Sequence, residues 1–276
     1  MPTQLANVPE TLLKDVREMV VWAEITVTES GVLCGVNELE KKARELGMEV
    51  NLHAVEGEKI FPGQKIATLT GDPVQIIKGE DCLLSLISKA SGIATMGNIA
   101  VAMAGRVKIV SGAWKKIPLK TKEMVRSALI IGGVGIRLLE EPFLYLDKNY
   151  LRIFGSLEAL LRAAQTLADR RYPVAVQIRG ETGSIGDEAV EAVLHGAGVI
   201  MVDTGKIADL RACSEALFRK GLRGGIKLAF AGGVRIADLP GLQQEDVDIV
   251  DIGRELLDAP LLDFRYDVIK ERQPWN

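Results

Sequence analysis

The sequence contains few of the side chains that usually build metal and redox centres, with two histidines and three cysteines among 276 residues. Cys34, Cys82 and Cys213 stand far apart, so their spacing predicts neither a disulfide framework nor a zinc site. His53 and His195 fall in strand-like and helix-like segments without neighbouring catalytic motifs. We therefore expect no histidine or cysteine to act as a general base or metal ligand.

Excess positive charge and long apolar runs are also missing. The net charge of -3 and the isoelectric point of about 5.6 argue against the broad basic field that duplex nucleic acid requires. The first ten residues lack the basic and apolar regions of a signal peptide. No uninterrupted apolar run approaches the ~20 residues of a membrane span. The composition predicts a globular cytoplasmic protein with no nucleic-acid and no membrane partner.

Residues 1–104 mix short strands with helices of different lengths. Apolar periodicity predicts a strand, a helix and a second strand, at 20–27, 37–46 and 50–55. A Pro62-Gly63 turn then separates two short β runs, which is similar to the hammerhead hairpin of lipoyl-type folds. This part of the chain is expected to serve as a scaffold.

From residue 105 the pattern becomes regular, with short β runs followed by helical spacing. Six parallel strands are predicted, at 107–110, 143–146, 174–178, 198–202, 226–230 and 247–252. Each run ends in a polar or glycine-rich cluster, and the carboxyl ends of parallel strands meet at one rim or crevice. The many short units, without a Gly-x-Gly-x-x-Gly element, favour an irregular α/β barrel over an open doubly wound sheet.

Two glycine-rich segments follow the last two β runs. Gly232 and Gly233 end the fifth run, while Gly253 and Arg254 end the sixth. Glycine lets backbone N–H groups approach an anion closely, so these segments predict a phosphate site to which Arg254 adds charge. In the alternative interpretation the glycines only form tight turns, and Arg254 faces solvent in the first turn of the final helix.

Short motifs in a fixed order carry a family resemblance over nearly the whole chain. They are Ser-Gly-Ile-Ala-Thr at 91–95, Gly-Gly-Val at 132–134 with Arg137, Asp-Lys-Asn-Tyr at 147–150, Gly-Ser at 155–156, Ile-Met-Val-Asp at 200–203, the three glycines above, and Ala-Pro-Leu-Leu-Asp at 259–263. This order resembles the quinolinate phosphoribosyltransferase family, also called nicotinate-nucleotide pyrophosphorylase (carboxylating). The resemblance implies an N-terminal α/β sandwich over 1–104 and an irregular α/β barrel over 105–276. It also implies a last helix that is a candidate to pack on the N-terminal domain, and a homodimer with active sites at the subunit interface.

Family members join quinolinate to phosphoribosyl pyrophosphate and release pyrophosphate and carbon dioxide, which yields nicotinate mononucleotide for NAD biosynthesis. Such anionic substrates require arginine and lysine, and Mg²⁺ must be held against the pyrophosphate by acidic side chains. The resemblance assigns catalytic roles to Lys115, Arg137 and Asp203, with Asp203 also the candidate magnesium ligand. It assigns phosphate binding to Gly232, Gly233 and Gly253, to which Arg254 is added from its place after the last strand. Substrate binding is expected of Trp114, Lys116, Lys148 and Gln177, which stand at or near the family's substrate positions. Alternatively, Arg137 forms an ion pair between elements and Asp203 caps a helix.

Several charged positions of the family are replaced. Asp81 stands where an arginine normally crosses the dimer interface, Trp114 replaces another arginine, and Ile136 replaces a histidine. Gln177 replaces a glutamate, and the family lysine is shifted by one position to Lys148, a shift that reverses the face of a strand residue. Each lost buried ion contact costs on the order of 2–5 kcal/mol, so quinolinate affinity is expected to be low.

The sequence thus predicts a phosphoribosyltransferase whose acceptor is a pyridine carboxylate or a related nitrogen heterocycle less anionic than quinolinate. A non-catalytic or regulatory member that binds a phosphorylated metabolite is the alternative, favoured by loss of the glutamate charge. A member that uses quinolinate with compensation from Lys116, Lys120 and Lys148 also stays open, although these lysines equally fit a solvated basic face.

Overall fold

The computed structural model describes residues 8–167 and 172–269. The chain forms two compact units. The first holds the described residues up to Asn98, Pro118–Gly132 and the described residues from Asp258 onward. The second holds Ile99–Ile117 and Gly133–Leu257. These units differ from the expected division into 1–104 and 105–276, because two later segments of the chain return to the first unit.

A four-stranded antiparallel sheet organises the first unit. Its strand order is β12-β1-β5-β3, with β1 at Val21–Val27, β3 at Glu49–Leu52, β5 at Lys65–Gly71 and β12 at Phe264–Ile269. The segment that returns to this unit at the C-terminal end is therefore a strand and not the expected helix. Phe264, Tyr266 and Val268 alternate there with charged residues, and the backbone completes the edge of β1.

The first unit also contains α-helices and short strands outside this sheet. They are α1 at Val8–Leu12, β2 at Gly31–Val32, α2 at Val36–Glu45, β4 at Lys59–Ile60, α3 at Pro73–Ala104, which continues into the second unit, and α4 at Lys122–Ile131. Helix α2 buries Val36, Leu39 and Ala43, which lie on one face by helical spacing. The predicted Pro62-Gly63 turn separates β4 from β5, but the two strands enter different sheets because β4 pairs with β2.

Helix α3 bears on the expectation that the chain has no membrane-spanning segment. An 18-residue window within its 32 residues has a mean hydropathy of 1.2, so length and composition alone would permit a membrane crossing. Uninterrupted apolar runs do not reveal this window, because small and polar residues are scattered through it. The same criteria are met by core helices, and 44% of the window is buried within the structure. The helix is thus weak support for a membrane span.

The second unit is built from parallel βα units, as predicted. Its strands are β6 at Lys108–Val110, β7 at Leu144–Leu146, β8 at Val174–Ile178, β9 at Val199–Asp203, β10 at Lys227–Ala231 and β11 at Ile249–Asp251. The helices are α5 at Lys148–Phe154, α6 at Leu157–Gln165, α7 at Ile185–Leu194, α8 at Ile207–Arg219, α9 at Leu239–Leu242 and α10 at Arg254–Leu257. The strands form one parallel sheet in the order β6-β11-β10-β9-β8-β7. This arrangement confirms the α/β fold class and all six predicted strands.

One face of the parallel sheet carries an apolar cluster that fixes the direction of the strand-end side chains. Alternate strand residues form this cluster, among them Ala175, Val199, Met201, Ala229 and Ile249. Side chains alternate along a strand, so residues two positions further on point to the same face. Gln177, Asp203 and Asp251 therefore lie above the apolar cluster, at the carboxyl ends of their strands.

Candidate active site

A cavity of about 410 Å³ opens at the carboxyl ends of the parallel strands in the second unit. It is lined by nine of the residues predicted for the site: Lys115, Lys116, Arg137, Gln177, Asp203, Gly232, Gly233, Gly253 and Arg254. Trp114 and Lys148 are not part of the lining. The strand-end rule therefore brings most of the predicted side chains together, although they lie far apart in the sequence.

Gly232 and Gly233 belong to a loop that lines the cavity, and the backbone of this loop touches a second loop at Gly205. Gly232 and Gly205 both have positive φ angles, of 109° and 69°, and the Gly205 N–H donates to the Ala231 carbonyl at 2.9 Å. A Cβ atom on Gly232 would clash with the Gly205 backbone nitrogen and lie 2.8 Å from the Thr204 carbonyl carbon. Gly233, with φ of 88°, has open space around it. The backbone contact with Gly205 holds Gly232 in place, so the peptide groups of its loop lie beside the cavity.

The cationic side comes from a short 3₁₀ turn at Ala113–Lys116 and from the segment after Gly133. Lys115 Nζ lies 4.9 Å from the centroid of the Tyr145 ring, at a distance typical of a cation–π contact. Arg137 forms an ion pair with Glu141 at 2.8 Å, within one segment and not between elements as the alternative interpretation had it, and Arg137 also lines the cavity. The cavity therefore presents several cationic groups to an anionic ligand.

Trp114 contacts residues of the cavity without lining it. Its side chain is buried, and its Nε1–H donates to the Ile136 carbonyl at 3.0 Å. The Arg137 guanidinium carbon lies 5.8 Å from the centroid of the indole ring. Trp114 thus holds the segment that carries Ile136 and Arg137, whereas the sequence predicted a substrate-binding side chain.

Gln177 and Asp203 line one edge of the cavity and are hydrogen-bonded to each other. The Gln177 amide nitrogen donates to an Asp203 carboxylate oxygen, while the amide oxygen accepts from the Lys148 backbone N–H at 2.9 Å. Lys148 is the first residue of α5. It comes three positions after Tyr145, so it falls outside the alternation that places every second residue on the Tyr145 face. The structure therefore places its backbone, and not its ammonium group, in contact with a residue of the cavity.

Asp251 is a site residue that the sequence reasoning did not select. Its carboxylate lines the cavity and accepts from the Gly112 backbone N–H at 3.3 and 3.4 Å. Burial, together with the negative charge of Asp203, raises the pKa of Asp251 to about 6, against the opposing effects of the Gly112 N–H, Lys115 and Lys116. The available signal was its spacing, because Asp251 follows the buried Ile249 by two positions at a strand end.

Tyr145 also lines the cavity without having been predicted. Its hydroxyl donates to the Met201 sulfur at 3.2 Å, and burial beside Asp251, Asp203 and Asp147 raises its pKa. The high pKa keeps the phenol neutral, so Tyr145 contributes a polarisable ring and a hydroxyl rather than a negative charge.

Metal ligands are sparse in the described part of the chain. No group of three or more histidine, cysteine or acidic side chains suited to a metal ion occurs there. Cys34, Cys82 and Cys213 are free, and burial raises the pKa of Cys34 and Cys213. A cation at this cavity would therefore need ligands from a bound substrate, in addition to a carboxylate such as Asp203.

Two family models together match almost the whole chain. The model described as quinolinate phosphoribosyl transferase, N-terminal domain, matches residues 10–91. The corresponding C-terminal domain model matches residues 93–267, which is more than half of the chain.

Similar proteins and structures agree with these matches. A probable nicotinate-nucleotide pyrophosphorylase [carboxylating] of Archaeoglobus fulgidus is 29% identical over 253 residues, covering 91% of this chain and 95% of that protein. The nicotinate-nucleotide pyrophosphorylase [carboxylating] of Rattus norvegicus is 28% identical over 259 residues, covering 92% and 82%. The nicotinate-nucleotide pyrophosphorylase structure from Pyrococcus furiosus superposes with a TM-score of 0.80 at 22% identity, over 99% of this chain and 77% of that one. NadC from Streptococcus pyogenes gives 0.77 at 18% identity, over 98% and 99%.

Proposed function

The chain belongs to the quinolinate phosphoribosyl transferase family, and we propose that it transfers a phosphoribosyl group from phosphoribosyl pyrophosphate to a nitrogen heterocycle. The family prediction made from the sequence is confirmed. The similar curated proteins carry enzyme names, which supports catalysis over a binding or regulatory role. The acceptor is a pyridine carboxylate or a related heterocycle.

The observation that carries this proposal is that one cavity combines glycine-rich backbone with several cationic side chains. Gly232, Gly233 and Gly253 line it together with Arg254, and this combination suits the 5′-phosphate. Lys115, Lys116 and Arg137 also line it and suit the pyrophosphate. One cavity thus offers the groups that a sugar with a phosphate at one end and a pyrophosphate at the other requires.

The proposed reaction is a displacement at C1 of the ribose. The lone pair of the acceptor ring nitrogen forms the new C1–N bond while the C1–O bond to pyrophosphate breaks, and pyrophosphate leaves with the bonding electrons. Lys115, Lys116 and Arg137 stabilise the charge that develops on the leaving group. Asp203, held by the Gln177 amide, is placed to orient a ribose hydroxyl.

Magnesium, a homodimer and a cytoplasmic location belong to the same proposal. Mg²⁺ in phosphate-transfer sites commonly takes one or two carboxylates and completes its coordination with substrate phosphates and water. Asp203 fits that use, and Mg²⁺ would neutralise part of the pyrophosphate charge. The dimer is proposed from the family resemblance, with Asp81 as an exposed position at which this chain departs from the family arginine.

Isothermal titration calorimetry with phosphoribosyl pyrophosphate and Mg²⁺ tests the proposal. Saturable one-site binding is expected, and Lys115→Met should weaken it by roughly tenfold or more, because an ion contact to phosphate is lost. Lys220→Met serves as the matched control, since Lys220 is exposed at the end of α8 and outside the cavity. Absence of binding, or equal effects of the two substitutions, would contradict the proposal.

A further inference from the structure

Asp251 occupies the floor of the cavity in a way that the transfer reaction alone does not explain. It is the last residue of β11 and lies on the same face of the sheet as Ile249. Its carboxylate sits over Gly112, where a Cβ atom would be 3.3 Å from one carboxylate oxygen. The glycine at 112 therefore leaves room for this carboxylate, and its N–H fixes the orientation.

The carboxylate of Asp251 retains unused capacity to accept hydrogen bonds. An ionised carboxylate has about four lone-pair positions, and within the described residues it accepts only the long, shared hydrogen bond of Gly112. Lys115 and Lys116 act on it through their charge and not through a hydrogen bond in that set. A donor on a bound ligand would satisfy the remaining lone pairs.

The surrounding charges decide which ligand can approach this group. Lys115, Lys116, Arg137 and Arg254 line the cavity against Asp203 and Asp251. Phosphoribosyl pyrophosphate alone carries enough negative charge to engage all four cations. A second dianion would then meet two carboxylates without a free cation partner among the described residues that line the cavity, and such like-charge contacts strongly disfavour binding.

We propose that Asp251 determines acceptor specificity by accepting a hydrogen bond from the acceptor, so that the acceptor is a heterocycle with an N–H donor and not a pyridine dicarboxylate. This inference rests on the proposed function and narrows its acceptor. The donor is a ring N–H, an amino group or a carboxamide on the heterocycle. Tyr145, whose ring lies under the Lys115 ammonium group, lines the same cavity.

Calorimetry with two pyridines of similar shape tests this assignment at pH 8 in the presence of ribose 5-phosphate and pyrophosphate, which together engage the cations that the sugar donor would engage. The probes are nicotinamide, which carries a carboxamide donor, and quinolinate, which carries two carboxylates. The wild-type protein should bind nicotinamide more tightly. Asp251→Asn keeps the size of the side chain and removes its charge, so it should shift the ratio of the two dissociation constants at least tenfold toward quinolinate.

Glu215→Gln provides the matched charge control, because Glu215 is exposed on α8 and lies outside the cavity. It should leave the ratio unchanged. The assignment is overturned if the wild-type protein fails to bind nicotinamide, prefers quinolinate, or keeps the same ratio after Asp251→Asn. Binding of phosphoribosyl pyrophosphate, measured on the same preparations, separates this failure from failure of the proposed function.

Discussion

Replacing Gly232 by alanine tests whether the contact between the two glycine loops shapes the phosphate side of the cavity. The native φ of 109° is unfavourable for alanine and costs about 1–3 kcal/mol. The added Cβ atom would also meet the backbone of Thr204 and Gly205, which cannot rotate away as a side chain can. Overpacking of this kind typically costs another 1–3 kcal/mol. We therefore expect Gly232→Ala to lower the free energy of unfolding by about 2–6 kcal/mol.

Gly233→Ala separates the two contributions. Gly233 has a φ of 88° but no heavy atom within 4 Å of an added Cβ, so it incurs only the backbone cost. Thermal melting should rank wild type above Gly233→Ala and Gly233→Ala above Gly232→Ala, with about 2–4 °C for each kcal/mol at this chain length. Calorimetry with ribose 5-phosphate should show the larger affinity loss for Gly232→Ala. Equal melting temperatures for the two variants would refute the steric reasoning.

Three further substitutions test other parts of the site. Burial raises the pKa of Asp251 to about 6 from 3.8. Between these two pH values the folded state holds a proton that the unfolded state has lost, so the stability that this proton provides is lost as pH rises through that window. Asp251→Asn should reduce this pH-dependent loss of unfolding free energy, which amounts to up to about 3 kcal/mol in the wild-type protein. Urea unfolding at a series of pH values tests this, and a profile for the variant parallel to the wild-type profile would contradict it. Trp114→Phe removes the hydrogen bond to the Ile136 carbonyl and should cost about 1–2 kcal/mol in urea unfolding, with no loss expected if water replaces the donor. Gln177→Glu places a second carboxylate against Asp203 and should lower the melting temperature at pH 8. Added Mg²⁺ should restore it, and a melting temperature insensitive to Mg²⁺ would argue against a cation beside Asp203.

The sequence predicted the parallel sheet well because its signals are local. Each β run lies between turn residues, and the observed strands agree with the predicted ones to within two residues at each end. The two units were harder to predict, because pairing of β12 with β1 joins residues more than two hundred positions apart. Period-2 spacing at 264–269 indicates a strand, but it does not identify the partner strand.

The site was predicted where a residue acts through its place at a strand end, and missed where it depends on tertiary contacts. Lys115 and Asp203 follow the strand-end rule and reach the cavity. Trp114 does not, because its indole N–H finds a backbone carbonyl that only the folded chain brings near. Only the spacing of Asp251 from Ile249 indicates its place in the sequence, whereas the burial and the proximity of Asp203 that raise its pKa are tertiary properties.

The most direct test of phosphoribosyl transfer is mass spectrometry of the products formed from phosphoribosyl pyrophosphate, Mg²⁺ and a panel of pyridine and azole acceptors. We expect a new nucleotide whose mass equals that of one acceptor plus a phosphoribosyl group, formed together with an equal amount of pyrophosphate. Its yield should fall sharply in Lys115→Met and not in Lys220→Met. Tight binding of phosphoribosyl pyrophosphate without a nucleotide product from any acceptor in the panel would contradict the assignment of a transferase.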